Sequence, residues 1–452
     1  MLTRRGVLCP CELAYVVSRD GLVRSLGLTA MTANAVNCIV ASGIFVLPAV
    51  VAAILGPGWL IAYVICAVAI TLVFLSLAEA ASRVSETGGT YRYVEVAFGP
   101  YAGMVLGAVL WFSAVASSAA VADIFAGTLG AVTPVLRDGV GRAALLVATY
   151  AVLTAINIRG VRAGAWVVEI VTVAKVVPLA LLIVAGLFAL RSQHVPVVGH
   201  ASLPAVGRAS LELFFAFTGI EVALTPAGEV TNPSRTMPRA VLLALVVVTA
   251  LYVGTHYVAQ GVLGAGLAAD QVTPLAATAD HLFGPRGKAL MLAAAALSTF
   301  AYVSGDILAS PRIMFNFGQA GYLPSIMGTV HARHKTPHIA IAAYAVICCA
   351  LALTGTFRVL AALGAIAALI IYLASCLALL VLRRRDVRMD GQPFLVPGGP
   401  TIPVLGCAVL LWLLAQATRD EYVIFGFVIG LASLLYLARS KRNVARGGEA
   451  LE

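Results

Sequence analysis

The chain has 452 residues, 61% hydrophobic and only 11% charged, with a mean hydropathy of +0.98. Soluble globular chains carry about 25% charged residues, so this composition excludes a soluble fold and points to a polytopic membrane protein. The net charge of +10 does not imply nucleic acid, because the basic residues lie in short segments between apolar runs, where they report topology.

Taken in order, residues 1–24 read as a cytoplasmic N-terminal tail. The first 22 carry Glu12 within a short apolar run and make a poor signal peptide and a poor span. Cys9 and Cys11 there are a weak metal pattern. The other six cysteines (Cys38, Cys66, Cys348, Cys349, Cys376, Cys407) lie in apolar runs and read as small core residues, with no disulfide framework. No Asp, Glu, Lys or Arg occurs between Arg24 and Glu79. At about 20 residues per crossing, that stretch holds two spans joined by Ile54-Leu55-Gly56-Pro57. The apolar runs predict twelve spans in all, roughly 29–50, 58–80, 101–131, 141–158, 166–190, 209–228, 238–262, 289–311, 337–356, 359–382, 401–417 and 422–438. With the N-terminus inside, inner segments hold 21 Lys and Arg, outer loops hold 8, and Lys175 lies within a span. Lys and Arg favour the cytoplasmic side, so both termini are expected inside a cell membrane. Residues 25–440 then form one transmembrane unit, and 441–452 a cytoplasmic C-terminal tail.

Two spans carry matching interruptions. Span one contains ASGIFVLP (41–48) and span six FTGIEVALTP (217–226). Each places a hydroxyl residue, a glycine and an isoleucine in order, with a proline soon after. Five spans separate them, an odd number, so they cross the membrane in opposite senses. That is the pattern of a 5+5 inverted repeat, with spans 11 and 12 outside it, and matched interrupted segments mark a transporter's binding site. A broken helix in hydrocarbon frees N–H and C=O groups that each cost several kcal/mol if unsatisfied. A zwitterion satisfies both kinds: its carboxylate takes amides at a half-helix N-terminus and its ammonium takes carbonyls. Two facing breaks therefore suit the common part of an amino acid.

At this point the chain resembles amino acid permeases of the amino acid–polyamine–organocation superfamily, over roughly residues 25–440. The resemblance rests on ASGIFVLP, on LAEAASRVSETGGTYRYVEVAFGP (77–100), on INIRGVRAGAWVVEIVTVAKVVPL (156–179), on FFAFTGIEVALTPAGEVTNPSRTMPRAV (214–241) and on ASPRIMFNFGQAGYLPSIMGTVHARHKTP (309–337). Gln319-Ala320-Gly321 departs from the Arg-Asp-Gly type turn usual there. The resemblance implies an all-α, LeuT-like fold, no enzymatic activity, no cofactor and a small-molecule amino acid substrate. By motif, it places the substrate carboxylate on the amides of Ser42, Gly43 and Ile44. It places the substrate amine on carbonyls of Ile39, Phe215 and Thr218, with Gly219 in the span-six break. Phe215 is expected to act as an outer lid, Phe300 to help close the path, and Ser118 to meet the substrate side chain.

Ionisable residues inside the membrane cost ~2.5–3.5 kcal/mol on the insertion scale and need a partner or a role. Glu79 and Glu169 are expected near the inner surface, and Asp123 and Asp306 to pair with polar neighbours or line the path. His256 reads as a satisfied interior histidine. Glu221, next to the span-six break, has three open roles: amine ligand, proton acceptor, or cap of the freed backbone. The resemblance sets Lys175 where sodium-coupled relatives hold a second sodium ion, bridging span-one carbonyls and span-eight hydroxyls such as Ser304. That predicts sodium independence, with Lys175 either a proton-coupling group or a fixed positive strut.

No nucleophile elbow, phosphate loop, zincin pattern or metal-ligand spacing appears. A channel fits a paired broken-helix design poorly, and a transporter-like sensor would want a larger soluble domain. The loop TPVLRDGVGRA between spans three and four has no cysteine, so no disulfide-linked heavy chain is expected; a homodimer is compatible. The expected activity is secondary transport of a neutral or broad range of L-amino acids, proton-coupled. An exchanger for arginine, lysine or a polyamine is the alternative.

Overall fold

The structure is a computed structural model that describes residues 27–41, 43–84, 90–159, 165–190, 199, 201–219, 230, 233–389, 393–396 and 398–449. Its named elements are all helical. In chain order they are α1 (Leu28–Ile39), α2 (Leu47–Leu55), α3 (Leu60–Arg83), α4 (Thr90–Phe98), α5 (Pro100–Val132), α6 (Gly139–Ile158), α7 (Ala165–Ala189) and α8 (Leu203–Phe214). There follow α9 (Pro233–Leu263), α10 (Pro274–Ala309), α11 (Pro311–Gln319), α12 (His338–Thr354), α13 (Phe357–Arg384), α14 (Thr401–Leu414) and α15 (Arg419–Glu449). Among the described residues, eight helices are long and apolar enough to cross a membrane, and three shorter apolar helices accompany them.

The helix starts follow local chemistry. Pro100, Pro233, Pro274 and Pro311 each open a helix, where proline's missing N–H costs nothing. Ser202 caps α8 by accepting the Ala205 N–H. The sequence predicts a loop between spans seven and eight, residues 263–288. The structure instead continues with a 3-10 turn at Gly264–Ala268 and then α10, kinked at Gly284, where φ is +67°. The Asp270 carboxylate accepts the Val272 and Thr273 N–H groups and so turns the chain into α10. Asp280, Arg286 and Lys288 flank the kink at Gly284 and lower the hydropathy of the helix around it.

α13 and α5 form the centre, packed against each other. α13 also touches α3, α4, α8 and α14, and α5 touches α10, α12 and α15. α13 is pinned at both ends. At its start, the Asp123 carboxylate of α5 accepts the Phe357 N–H at 2.7 Å and pairs with Arg142. Arg358 donates to Glu212 of α8, which Arg208 also holds, and Arg208 bridges to Glu421. At its far end, Arg383 and Arg83 converge on the fully buried Glu79, whose other oxygen also accepts the Val396 N–H. No disulfide joins the six described cysteines; Cys9 and Cys11 lie outside the described residues.

Candidate functional site

The first break begins where α1 ends. The Val40 N–H still reaches Val36 O, but the Ala41 N–H turns back to Ile39 O at 2.7 Å. The chain resumes as one 3-10 turn, Gly43–Phe45, before α2 opens with Pro48 in its first turn. The second break follows α8. The helix tightens into a 3-10 turn at Phe215–Phe217 and opens at Thr218 and at Gly219, whose φ of +102° suits only glycine.

The two breaks touch. A Cβ on Gly219 would lie 2.6 Å from the Cys38 carbonyl oxygen, and one on Gly43 would lie 3.3 Å from the Ala216 Cα. Glycine at both positions lets one backbone lie against the other.

The freed carbonyls have identifiable donors. Lys175 of α7, only 5% exposed, donates from Nζ to Asn37 O at 2.7 Å. The buried Tyr252 hydroxyl of α9 lies 2.9 Å from Ile39 O and 2.8 Å from Ala216 O, so one phenol ties the two breaks together. Phe215 O accepts the Thr218 N–H and hydroxyl. The amides of Gly43 and Ile44 find no acceptor outside their own turn among the described residues. Among the described residues the site thus sets the Gly43 and Ile44 amides beside a cluster of carbonyls, each of which keeps a second lone pair for a further donor, the polarity a zwitterion requires.

These features of fold and site coincide with a family match. The family model described as amino acid permease matches residues 25–431. The chain belongs to the amino acid permease family. It is therefore a multi-pass membrane transport protein and not an enzyme. The permease is similar to the serine/threonine exchanger SteT of Bacillus subtilis, at 27% identity over 94% of this chain and 99% of that protein. It is also similar to the methylthioribose transporter of the same organism, at 24% identity over 96% of this chain and 97% of the relative. The branched-chain amino acid permease BcaP of Bacillus subtilis is 25% identical over 95% of this chain and 96% of that protein.

Of the sequence-predicted site residues, the structure brings together Ile39, Gly43, Ile44, Phe215, Thr218 and Gly219. Ser42 and Glu221 lie outside the described residues, and the side chain of Glu169 is likewise undescribed. Ser118 is fully buried on α5 and shares a 3.3 Å hydrogen bond with Tyr150. Its neighbour Ser117 approaches the second break: a Cβ on Gly364 would lie 2.8 Å from Ser117 Oγ and 3.1 Å from the Phe215 ring. Phe300 stands apart, 37% exposed, with its ring against Phe125. The ring that meets Phe215 is Phe357, at 6.1 Å. Lys175 meets span one through Asn37 O, and no hydrogen bond joins it to Ser304 among the described residues.

Two residues in contact with the breaks escaped the sequence. Tyr252 gives no pattern of its own within LYVGTHYVAQ, except that a phenol in an apolar span needs an acceptor. Phe357 looks like one more helix-start aromatic. His256 is half satisfied: Nδ1 shares a hydrogen bond with Tyr63, the ring stacks on Trp59 at 4.1 Å, and Nε2 has no partner among the described residues.

Proposed function

We propose that this permease carries an L-amino acid across the cytoplasmic membrane by alternating access, coupled to protons and independent of sodium. The observation that carries the reading is the contact between the breaks at Gly43 and Gly219, where the Gly43 and Ile44 amides, with no acceptor outside their own turn among the described residues, lie near a carbonyl cluster. That polarity complements the α-carboxylate and α-amine that all amino acids share. The matched breaks support a 5+5 inverted repeat of LeuT type with twelve spans, and the Lys and Arg distribution supports cytoplasmic termini. Ser42 and Glu221 complete the site in this reading.

Lys175 supports sodium independence. An ammonium on Asn37 O supplies the positive charge that a cation would bring to the end of α1. The names of the relatives cover serine and threonine, branched-chain amino acids and methylthioribose, so side-chain preference falls to the pocket around Ser118 and Phe215, and those walls suit a neutral side chain. The similarity to SteT, named as an exchanger, favours obligatory exchange as the second reading.

The test is uptake into proteoliposomes of the purified permease from an amino acid panel, without sodium, with and without an inward proton gradient. Gradient-stimulated uptake is expected. A sodium requirement defeats the Lys175 reading, and counterflow without gradient-driven uptake selects the exchanger.

A further inference from the structure

The carboxylates inside the bundle are not held alike. Among the described residues, Glu79, Asp123, Glu212 and Glu421 are each paired with arginine. Asp306, on α10, is the exception. Its Oδ2 accepts the Tyr344 hydroxyl of α12 at 2.6 Å, and its Oδ1 accepts the Ser310 hydroxyl at 2.6 Å. On the neighbouring α5, the buried Ser118 hydroxyl shares a hydrogen bond with Tyr150.

The surroundings of Asp306 contain no basic partner among the described residues. From α6 the nearby titratable group is Tyr150, and from α12 they are Tyr344 and Cys348. α5 contributes Ser118. Lys175 of α7 is engaged with Asn37, Tyr252 of α9 with the breaks and His256 with Tyr63. Arg312 of α11 is exposed.

This difference has a chemical consequence. A carboxylate locked to arginine loses its partner's attraction when it takes a proton. A carboxylate bonded to hydroxyls does not, because a hydroxyl both donates and accepts. On protonation, Asp306 can donate to Ser310 Oγ while Tyr344 continues to donate to the other oxygen. Only hydroxyl rotors turn. An unpaired anion among apolar helices is costly, and taking a proton removes that cost. The site is thus built to exist in both states.

We propose that Asp306 is the residue that binds and releases the transported proton. One proton from water forms one O–H bond on the carboxylate, taking it from −1 to neutral, and the same proton returns to water on the opposite side. This rests on the proton-coupled reading above.

The experiment compares wild type, Asp306→Asn, Asp306→Glu and Tyr344→Phe in sodium-free proteoliposomes. The readout is uptake of a neutral amino acid with the inward proton gradient relative to uptake without it, so a general loss of rate does not imitate a loss of coupling. Asp306→Asn is expected to lose the stimulation and Asp306→Glu to retain it. Tyr344→Phe removes a donor to the ionised form and so favours the protonated one. Its pH profile should move to higher pH by about one unit, the size of one hydrogen bond to a charged oxygen. Stimulation that persists undiminished in Asp306→Asn overturns the assignment. If Asp306→Asn yields no uptake at all, an unmoved profile in Tyr344→Phe overturns it. A wild type without stimulation overturns the proton-coupled reading itself, and Asp306 falls with it.

Discussion

At the scale of single residues, the site depends on two glycines and one phenol. Gly219 combines a φ of +102° with a backbone oxygen 2.6 Å from where a Cβ would be. Alanine there must both strain the backbone, at roughly 1–3 kcal/mol, and push Cys38 away. Gly219→Ala is therefore expected to reduce uptake of every amino acid in the panel alike, because it separates the breaks and leaves the side-chain pocket alone. A changed preference at undiminished rate would place the glycine in the pocket instead. Gly43→Leu should act in the same way from the other side, since Leu47 and Ala216 already crowd that position at 3.0 and 3.3 Å. Tyr252→Phe tests the phenol. It leaves Ala216 O without that donor, at a cost of about 1–3 kcal/mol for an unsatisfied buried group, while Ile39 O keeps the Ala41 N–H. A lower melting temperature in detergent is expected, and an unchanged one would mean the carbonyls find another donor. The glycines could be read from the chain because two copies of one pattern stood in apolar runs. Tyr252 could not, since nothing near it in sequence reveals the carbonyls it meets, one 36 and the other 213 positions away.

At the scale of elements, hydropathy located the long apolar helices but misplaced their ends where polar residues are compatible with helix. The expected start near 289 falls one turn after the kink at Gly284, and what hydropathy missed is the polar helical stretch before that kink, which Asp270 and Pro274 start. The charged residues inside spans were legible as needing partners, but the partners come from other helices. Asp123 proves to cap the N-terminus of α13 and to hold Arg142, and neither contact follows from spacing along α5. Lys175 matters at this scale because it joins α7 to the end of α1. The Asn37 carbonyl is one of the acceptors a helix end leaves open, and the ammonium also opposes the negative end of the α1 dipole. Lys175→Met keeps the reach of the side chain and removes both charge and donor. Uptake is expected to fall severely and sodium is expected not to restore it, because methionine fills the space a sodium ion would need. Sodium-dependent recovery in that variant would show that the position remains open to a cation.

At the scale of the whole molecule, α13 runs 28 residues, about 42 Å at 1.5 Å per residue, with an arginine–carboxylate cluster near each end. The two clusters differ in strength. Around Glu79 the side chains of Arg83 and Arg383 are 5% and 16% exposed, whereas around Glu212 those of Arg208 and Arg358 are 25% and 49% exposed. Breaking a buried pair by removing one partner costs about 3–5 kcal/mol, while pairs open to water are worth about 0–1 kcal/mol. Glu79→Gln should therefore destabilise the permease more than Glu212→Gln, although both remove one carboxylate from two arginines. Melting curves in detergent at low and high salt give the comparison. The Glu212 cluster should also weaken as salt rises, because water and ions reach Arg358, and the Glu79 cluster should respond little. Under alternating access one end of the bundle must part while the other holds, and the end that parts more easily is the one where water already competes for the charges. Glu212→Gln is then expected to change the rate of the transport cycle at a small cost in stability, and Glu79→Gln to lower the amount of folded protein. Equal losses of stability in the two variants would mean that the clusters are equally dry and that neither end of α13 is the weaker one.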